Sequence, residues 1–230
     1  LQVAASKLQG GVGDINIDKL IIMGYFKVNN GQYKEAIQHF DKFIQVYPHI
    51  VAGYVARGTA YALLGQLDAA ITNFSHAINC DPKCADAWKR RGQARSAKGE
   101  INEAITDVTQ AIKLQPTDAD AHSQRGQLMY NIKDYRRALN DFLEAVKLQP
   151  KDRTSWNFAG LCYNHLGSCL NAVQMYEKAV TLDPKFKEAW INMAQAYRDW
   201  GNFESSESTY SKVLASVDPN CYQTYFLRSL

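Results

Sequence analysis

The sequence predicts an all-α fold, a right-handed α-solenoid of stacked helix–turn–helix repeats, from three observations. Pro48, Pro82, Pro116, Pro150 and Pro184 recur every 34 residues. Ala36, Ala70, Ala104, Ala138 and Ala172 keep the same step. So do Gly24, Gly58, Gly92, Gly126 and Gly160. Several residue types held in phase over five periods mark a tandem array, in which each unit covers its neighbour's apolar face.

Residues 1–16, LQVAASKLQGGVGDIN, precede the periodic part. Leu1, Val3 and Leu8 suit a short amphipathic helix, and GGVG is linker chemistry. It is not a phosphate loop, because no strand precedes it and no Gly-Lys-Ser/Thr follows. Six repeats are then expected at 17–50, 51–84, 85–118, 119–152, 153–186 and 187–220, each a helix A, a turn and a helix B.

Within each repeat the fourth position is large: Trp88, Trp156 and Trp190, with Leu20, Tyr54 and His122 elsewhere. The eighth is Gly in five repeats and Ala194 in the sixth, so helix A can approach its partner closely. Gly65, Gly99, Gly167 and Gly201 fall at the A–B turn, where a left-handed residue ends a helix. On helix B, Ala36 and its counterparts keep the contact short, and Phe40, Phe74, Phe142, Tyr176 and Tyr210 fill the space behind. Each Pro stops helix B before the next repeat. In the sixth repeat Ser206 replaces the small Ala, and Pro219 falls one residue late. Residues 221–230, CYQTYFLRSL, restart a helix A, either the first half of a seventh repeat or a cap; their apolar residues favour the former.

The stretch WKRRGQAR at 88–95 looks like a basic patch, but helical phase divides it. The residue before position eight is Met23, Arg57, Arg91, Arg125, Ala159 and Met193 along the repeats. The hairpin sets it opposite His39, Asn73, Asp107, Asp141, Met175 and Thr209. Only the Arg repeats have Asn or Asp there, so Arg57–Asn73, Arg91–Asp107 and Arg125–Asp141 are expected as structural pairs. A buried guanidinium needs such a partner. Arg95 takes the place of Tyr61, Tyr163 and Tyr197, so a packed stem and a solvated head are expected.

Stacked hairpins should curve into a superhelix with helix A lining an inner groove. Its candidate binding residues are Ile21, Tyr25, Val28, Val55, Lys89, Arg90, Gln93, Gln127, Tyr130, Asn157, Asn164, Gln195 and Arg198. The apolar ones suit a partner's apolar stripe. Cover by residues 1–16, or by a second copy, explains them equally well. The amides suit a peptide backbone, and Lys89 and Arg90 an acidic side chain or a phosphate.

Other chemistry finds no support. Lys+Arg is 26 against 23 Asp+Glu, a net charge of +3, which disfavours direct nucleic-acid binding. Apolar residues are 46%, enough for a core. No apolar run approaches the roughly 18 residues that span a bilayer. The five cysteines form no disulfide framework, which suggests reduced thiols in a cytoplasmic or nuclear setting. Cys80 and Cys84 flank Pro82 without a second pair, so no metal site is expected. The NFS at 73–75 falls inside a helix, which argues against glycosylation. No catalytic set or cofactor site is apparent. The missing initiator Met reads Leu1 and Leu230 as boundaries within a longer protein.

The Trp/Gly/Tyr…Ala…Phe…Pro pattern of period 34 resembles the tetratricopeptide repeat family over nearly the whole chain. RGTAYALLGQLDAAITNFSHAI (57–78) and DAWKRRGQARSAKGEINEAITDVTQAI (86–112) resemble the central repeats of SRFR-type plant suppressors of effector-triggered immunity. AQAYRDWGNFESS (194–206) is similar to their animal relatives, the tetratricopeptide repeat protein thirteen group. The repeats also resemble those of the yeast Ssn-Cyc co-repressor and of O-GlcNAc transferase. The resemblance implies a non-catalytic scaffold and negative regulator. It would contact TIR-type immune receptors, signalling adaptors or transcription factors in cytoplasm and nucleus, or at membranes through partners. The family's carboxylate clamp for chaperone C-termini is not matched: Lys89 fits, while Gln93, Gln124, Thr154 and Phe158 do not. The asparagine ladder of the transferase type is met only at Asn192. Two alternatives remain, the substrate-recruiting arm of a larger enzyme and a self-association module.

Overall fold

The computed structural model describes residues 15–217. Of the expected leader at 1–16, residues 1–14 lie outside the described residues, as does the restarting helix at 221–230. The chain divides into two compact units, one up to Gln115 and one from Pro116.

The first unit holds three helical hairpins. They are α1 (Ile15–Asn29) with α2 (Tyr33–Val46), α3 (Val51–Leu63) with α4 (Leu67–Cys80), and α5 (Ala85–Lys98) with α6 (Ile101–Leu114). Helix α1 begins at Ile15, within the segment expected to precede the repeats. The second unit holds α7 (Ala119–Asn131) with α8 (Tyr135–Leu148), α9 (Arg153–His165) with α10 (Cys169–Leu182), and α11 (Lys187–Asp199) with α12 (Phe203–Lys212). A π-helical turn, Val213–Val217, follows α12. No described residue forms a strand.

Helix ends follow local chemistry. Asp118, Asp134, Asp152 and Asn202 accept a backbone N–H of the helix each precedes. Between A and B the chain turns through a left-handed residue: Gly31, Gly65, Gly99, Gly167 and Gly201. In the fourth hairpin Lys133 takes that conformation, at φ 64°.

In five of the six described hairpins the core is one large ring against small residues, and in the third Val108 takes the ring's place. Phe40, Phe74, Phe142, Tyr176 and Tyr210 are fully or almost fully buried, as are Ala36, Ala70, Ala104, Ala138 and Ala172. A Cβ on Gly160 would stand 2.5 Å from the Tyr176 ring, and one on Gly24 2.3 Å from Phe40, so only Gly permits this approach. The fourth position anchors helix A to the preceding Pro. Indole Nε1 of Trp88, Trp156 and Trp190 donates to the carbonyls of Pro82, Pro150 and Pro184 at 2.9, 2.9 and 3.0 Å. His122 does the same with Nε2 toward Pro116 O at 3.1 Å. Within each unit, helix A of a hairpin packs on helix B of the one before, and successive A helices meet along one face.

Candidate functional site

Two of the expected groups are load carriers inside the first unit. Arg57 Nε donates to Asn73 Oδ1 at 2.7 Å, and its Nη1 reaches Asp41 of the preceding hairpin at 2.7 Å. Arg91 grips Asp107 with Nε and Nη2 at 2.8 and 2.7 Å, and its Nη1 donates to Ser75 of the preceding hairpin at 3.0 Å. The Arg91 guanidinium also lies 4.8 Å from the Trp88 ring centre. In the second unit Arg125 holds Asp141 with Nε and Nη2, at 2.8 and 2.7 Å. His122 Nδ1 approaches the same carboxylate at 3.3 Å.

Arg95 departs from expectation. Its head does not go to solvent: Nη1 donates to Asp107 Oδ2 at 2.7 Å. Asp107 is 1% exposed, so its charge draws in a second guanidinium to complete its hydrogen bonding. The spacing rule that found Arg91 carried no signal for this bond, because Arg95 reaches across from the next turn.

The apolar groove candidates also depart. Ile21 and Val28 are half-buried and pack against the Ala36, Phe40 and Ala60 core. Val55 packs against Ala77, Ile78 and Ala87. Each is half-buried, with part of its surface joined to the interior. Tyr25 stays partly open, 39% exposed, with its ring edge-on to Phe40 at 5.6 Å. Burial raises its phenol above the ordinary value, while Arg90 opposes the shift and Asp86 adds to it.

Asn157 is corrected as well. It is 6% exposed, and its Oδ1 accepts from Asn192 Nδ2 at 3.1 Å, so it ties α9 to α11 and does not face a ligand.

The remaining candidates mark two faces. On the first unit's A-helix face, Arg90 and Gln93 line a cleft of about 280 Å³ with Thr59, Ala62, Leu63, Leu67, Phe74, Ala94 and Ala97. Arg90 is oriented there by Asp86, Nε to Oδ2 at 2.8 Å, and by Thr59 Oγ1 at 3.4 Å. Lys89, half-buried, precedes it on α5. Phe74, on helix B, had no sequence signal as a cleft residue, since its position read as core, and Leu67 and Ala94 carried no signal of their own. On the second unit's A-helix face, Tyr130 bonds His165 (Oη to Nε2, 3.0 Å), and His165 stacks on Tyr135 at 4.2 Å. Asn164 and Gln195 both donate to Asp199, at 3.2 and 2.8 Å. Gln127 is exposed, and Arg198 lies over the Tyr210 ring at 5.9 Å.

Among the described residues there is no cluster of three metal-ligating side chains, and no helix is long and apolar enough to cross a membrane. Burial raises the Cys84 thiol and pushes Cys162 up to about 12, far from a nucleophile's range.

Family models agree with this architecture. The model described as "Tetratricopeptide repeat" matches residues 25–83 and 124–186, more than half of the chain, and a second of the same description matches 175–207. The model described as "TPR repeat" matches 92–133. Comparison with curated proteins finds no match. Among solved structures, the chain is similar to YrrB, described as a TPR protein with an unusual peptide-binding site. The TM-score is 0.75 at 19% identity, covering 83% of this chain and 98% of that one. It is also similar to MamA from Desulfovibrio magneticus RS-1, at TM-score 0.68 and 20% identity over 71% of this chain and 93% of that one. A chain of the APC/C hetero-tetramer Cut9-Hcn1 aligns at TM-score 0.70 and 18% identity, over 93% of this chain and 42% of its own length. At these identities the likeness concerns the fold. Such arrays generally mediate protein–protein interaction and are typically non-catalytic. With its 34-residue phase and matches over more than half its length, the chain belongs to the tetratricopeptide repeat family.

Proposed function

We propose that the chain is a non-catalytic scaffold that holds a partner's peptide segment on the A-helix face of its first unit. The cleft carries this reading. Its volume, about 280 Å³, is at the low end for a binding site and suits one or two side chains. Its floor is apolar, with Phe74 2% exposed, while Leu63 at the rim is 50% exposed. Arg90 beside it is more than a third exposed and keeps donors for a carboxylate. A segment with an apolar anchor and an adjacent acidic residue satisfies both features. The peptide-binding site named for YrrB is a precedent for such use of this fold.

Selection of a displayed random-peptide library on the full chain tests the reading, with Ala97→Trp filling the cleft as the counter-target. Enrichment of an apolar–acidic motif that the filled cleft no longer retains is expected. Equal recovery on both proteins would refute it.

A narrower reading rests on the resemblance of residues 57–78 and 86–112 to SRFR-type repeats. On it, the scaffold restrains plant effector-triggered immunity, binding TIR-type receptors, adaptors or transcription factors in cytoplasm and nucleus. Co-precipitation of a TIR-type receptor with the wild type but not with Arg90→Glu supports it; no co-precipitation from plant extract sinks it.

A further inference from the structure

The second unit's A-helix face carries hydrogen-bond acceptors that its packing does not use. Asp199 is exposed at the end of α11, and its two oxygens take the amide N–H groups of Asn164 and Gln195. Asn164 Oδ1 is buried with no hydrogen-bond partner among the described residues. Tyr176 of α10, 0% exposed, packs against Gly160, one turn before Asn164 on α9, and its hydroxyl also has no partner among the described residues. Leaving two buried polar atoms unpaired is costly and calls for a reason.

Packing does not supply that reason for Tyr176. Phe40, Phe74 and Phe142 fill the same repeat position without an oxygen. The ring carbon that bears the hydroxyl, Cζ, is among the atoms nearest α9, 2.8 Å from where a Cβ on Gly160 would stand. The Tyr176 ring lies directly beneath Gly160. In the next hairpin Tyr210, at the equivalent place, donates to Gln195 Oε1 at 3.4 Å. Burial holds the Tyr176 phenol well above its ordinary value, and the charges of Tyr130 and Asp199 push the same way.

We propose that this face binds a primary ammonium, the side chain of a Lys on a partner protein, between Asp199, Asn164 Oδ1 and the Tyr176 hydroxyl. An ammonium has three N–H donors, and the site offers three kinds of acceptor, one of them charged. A planar guanidinium carries five donors and would leave some unmet. The amides of Asn164 and Gln195 already place N–H groups on Asp199, where the ammonium would. Rotation of the half-buried Gln195 side chain frees Asp199 Oδ1 for the ammonium, while Asn164 stays in place. Tyr130 and His165, bonded at 3.0 Å beside Asn164, give the Lys stem an aromatic flank. The site is independent of the first unit's cleft, and the ligand charge is opposite.

The test titrates Nα-acetyl-lysine N-methylamide into the isotope-labelled 230-residue chain and follows the backbone amides by NMR. Saturable shifts at Asn164, Gln195 and Asp199 are expected, and none with the norleucine analogue. Asp199→Asn should weaken binding about tenfold or more, and Tyr176→Phe about threefold. Tyr176→Phe is safe for folding, because Phe fills that place in three other hairpins. It should also leave the unliganded melting temperature unchanged or higher. An n-butylamine arm separates sources: equal binding means that any primary amine serves, weaker binding that a chain-borne Lys is preferred. Lack of saturable shifts, equal response to norleucine, or full affinity in either variant would overturn the site.

Discussion

Asp107→Ala is the most informative single change in the first unit. The Asp107 carboxylate is 1% exposed and takes three hydrogen bonds of 2.7–2.8 Å from Arg91 and Arg95. The two Arg side chains are 13% and 23% exposed, so both lose their acceptor where water replaces it poorly. Breaking one partner of a buried pair costs about 3–5 kcal/mol. For a chain of this length that lowers the melting temperature by roughly 6–20 °C. Arg91→Ala should cost less, about 2–3 kcal/mol, because Arg95 still neutralises the carboxylate. Arg95→Ala should cost least, about 1 kcal/mol, since Arg91 keeps its two-point grip. The assay is urea denaturation of the three single variants and the Arg91→Ala/Asp107→Ala double variant. Additive effects in that double variant, or an Asp107→Ala loss under about 1 kcal/mol, would refute a coupled buried network.

Further predictions separate space from backbone conformation. Gly92→Ala places a Cβ 2.7 Å from Val108 Cγ2 and 3.2 Å from the Ala104 carbonyl oxygen. It should cost about 1–3 kcal/mol by chemical denaturation. Gly99→Ala meets nothing within 4 Å but must hold φ at +89°, for about 1 kcal/mol. Lys133→Gly reverses that strain at φ 64° and should stabilise by about 0.5–1 kcal/mol. A thiol reagent at pH 8 should label exposed Cys80 quickly and leave buried Cys162, about one part in 10⁴ thiolate at a pKa near 12, untouched until unfolding. Because folding raises that pKa, the Cys162 contribution is intact below about pH 8.5, the unfolded value, and erodes as pH rises toward 12.

The repeat and its phase are readable because each structural need calls for one residue type. A close helix approach demands Gly160, and the Phe74 ring demands Gly58 opposite it. The Arg–acid spacing is equally local, since the hairpin turn fixes which residues face each other. Contacts between hairpins were harder to read. Asp41 and Ser75, which accept from Arg57 and Arg91 of the next hairpin, have side chains too common on surfaces to signal it. The same holds for the binding faces. Asn157 and Asn164 occupy A-helix positions that look alike in sequence, yet one is buried against Asn192 and the other meets Asp199. Whether an amide links helices or waits for a ligand depends on what stands 35 residues away, not on its own type.

Arg57 and Arg91 each bond both within their own hairpin and to the hairpin before, whereas Ala159 and Met193 offer no such bond at that place. The hairpins are therefore not interchangeable parts. A duplicated second or third hairpin carries its half of the joint with it, but it fits only behind a predecessor that presents an Asp41- or Ser75-like acceptor. Shuffling hairpins, by recombination or in the laboratory, is restricted by a lock one side chain wide.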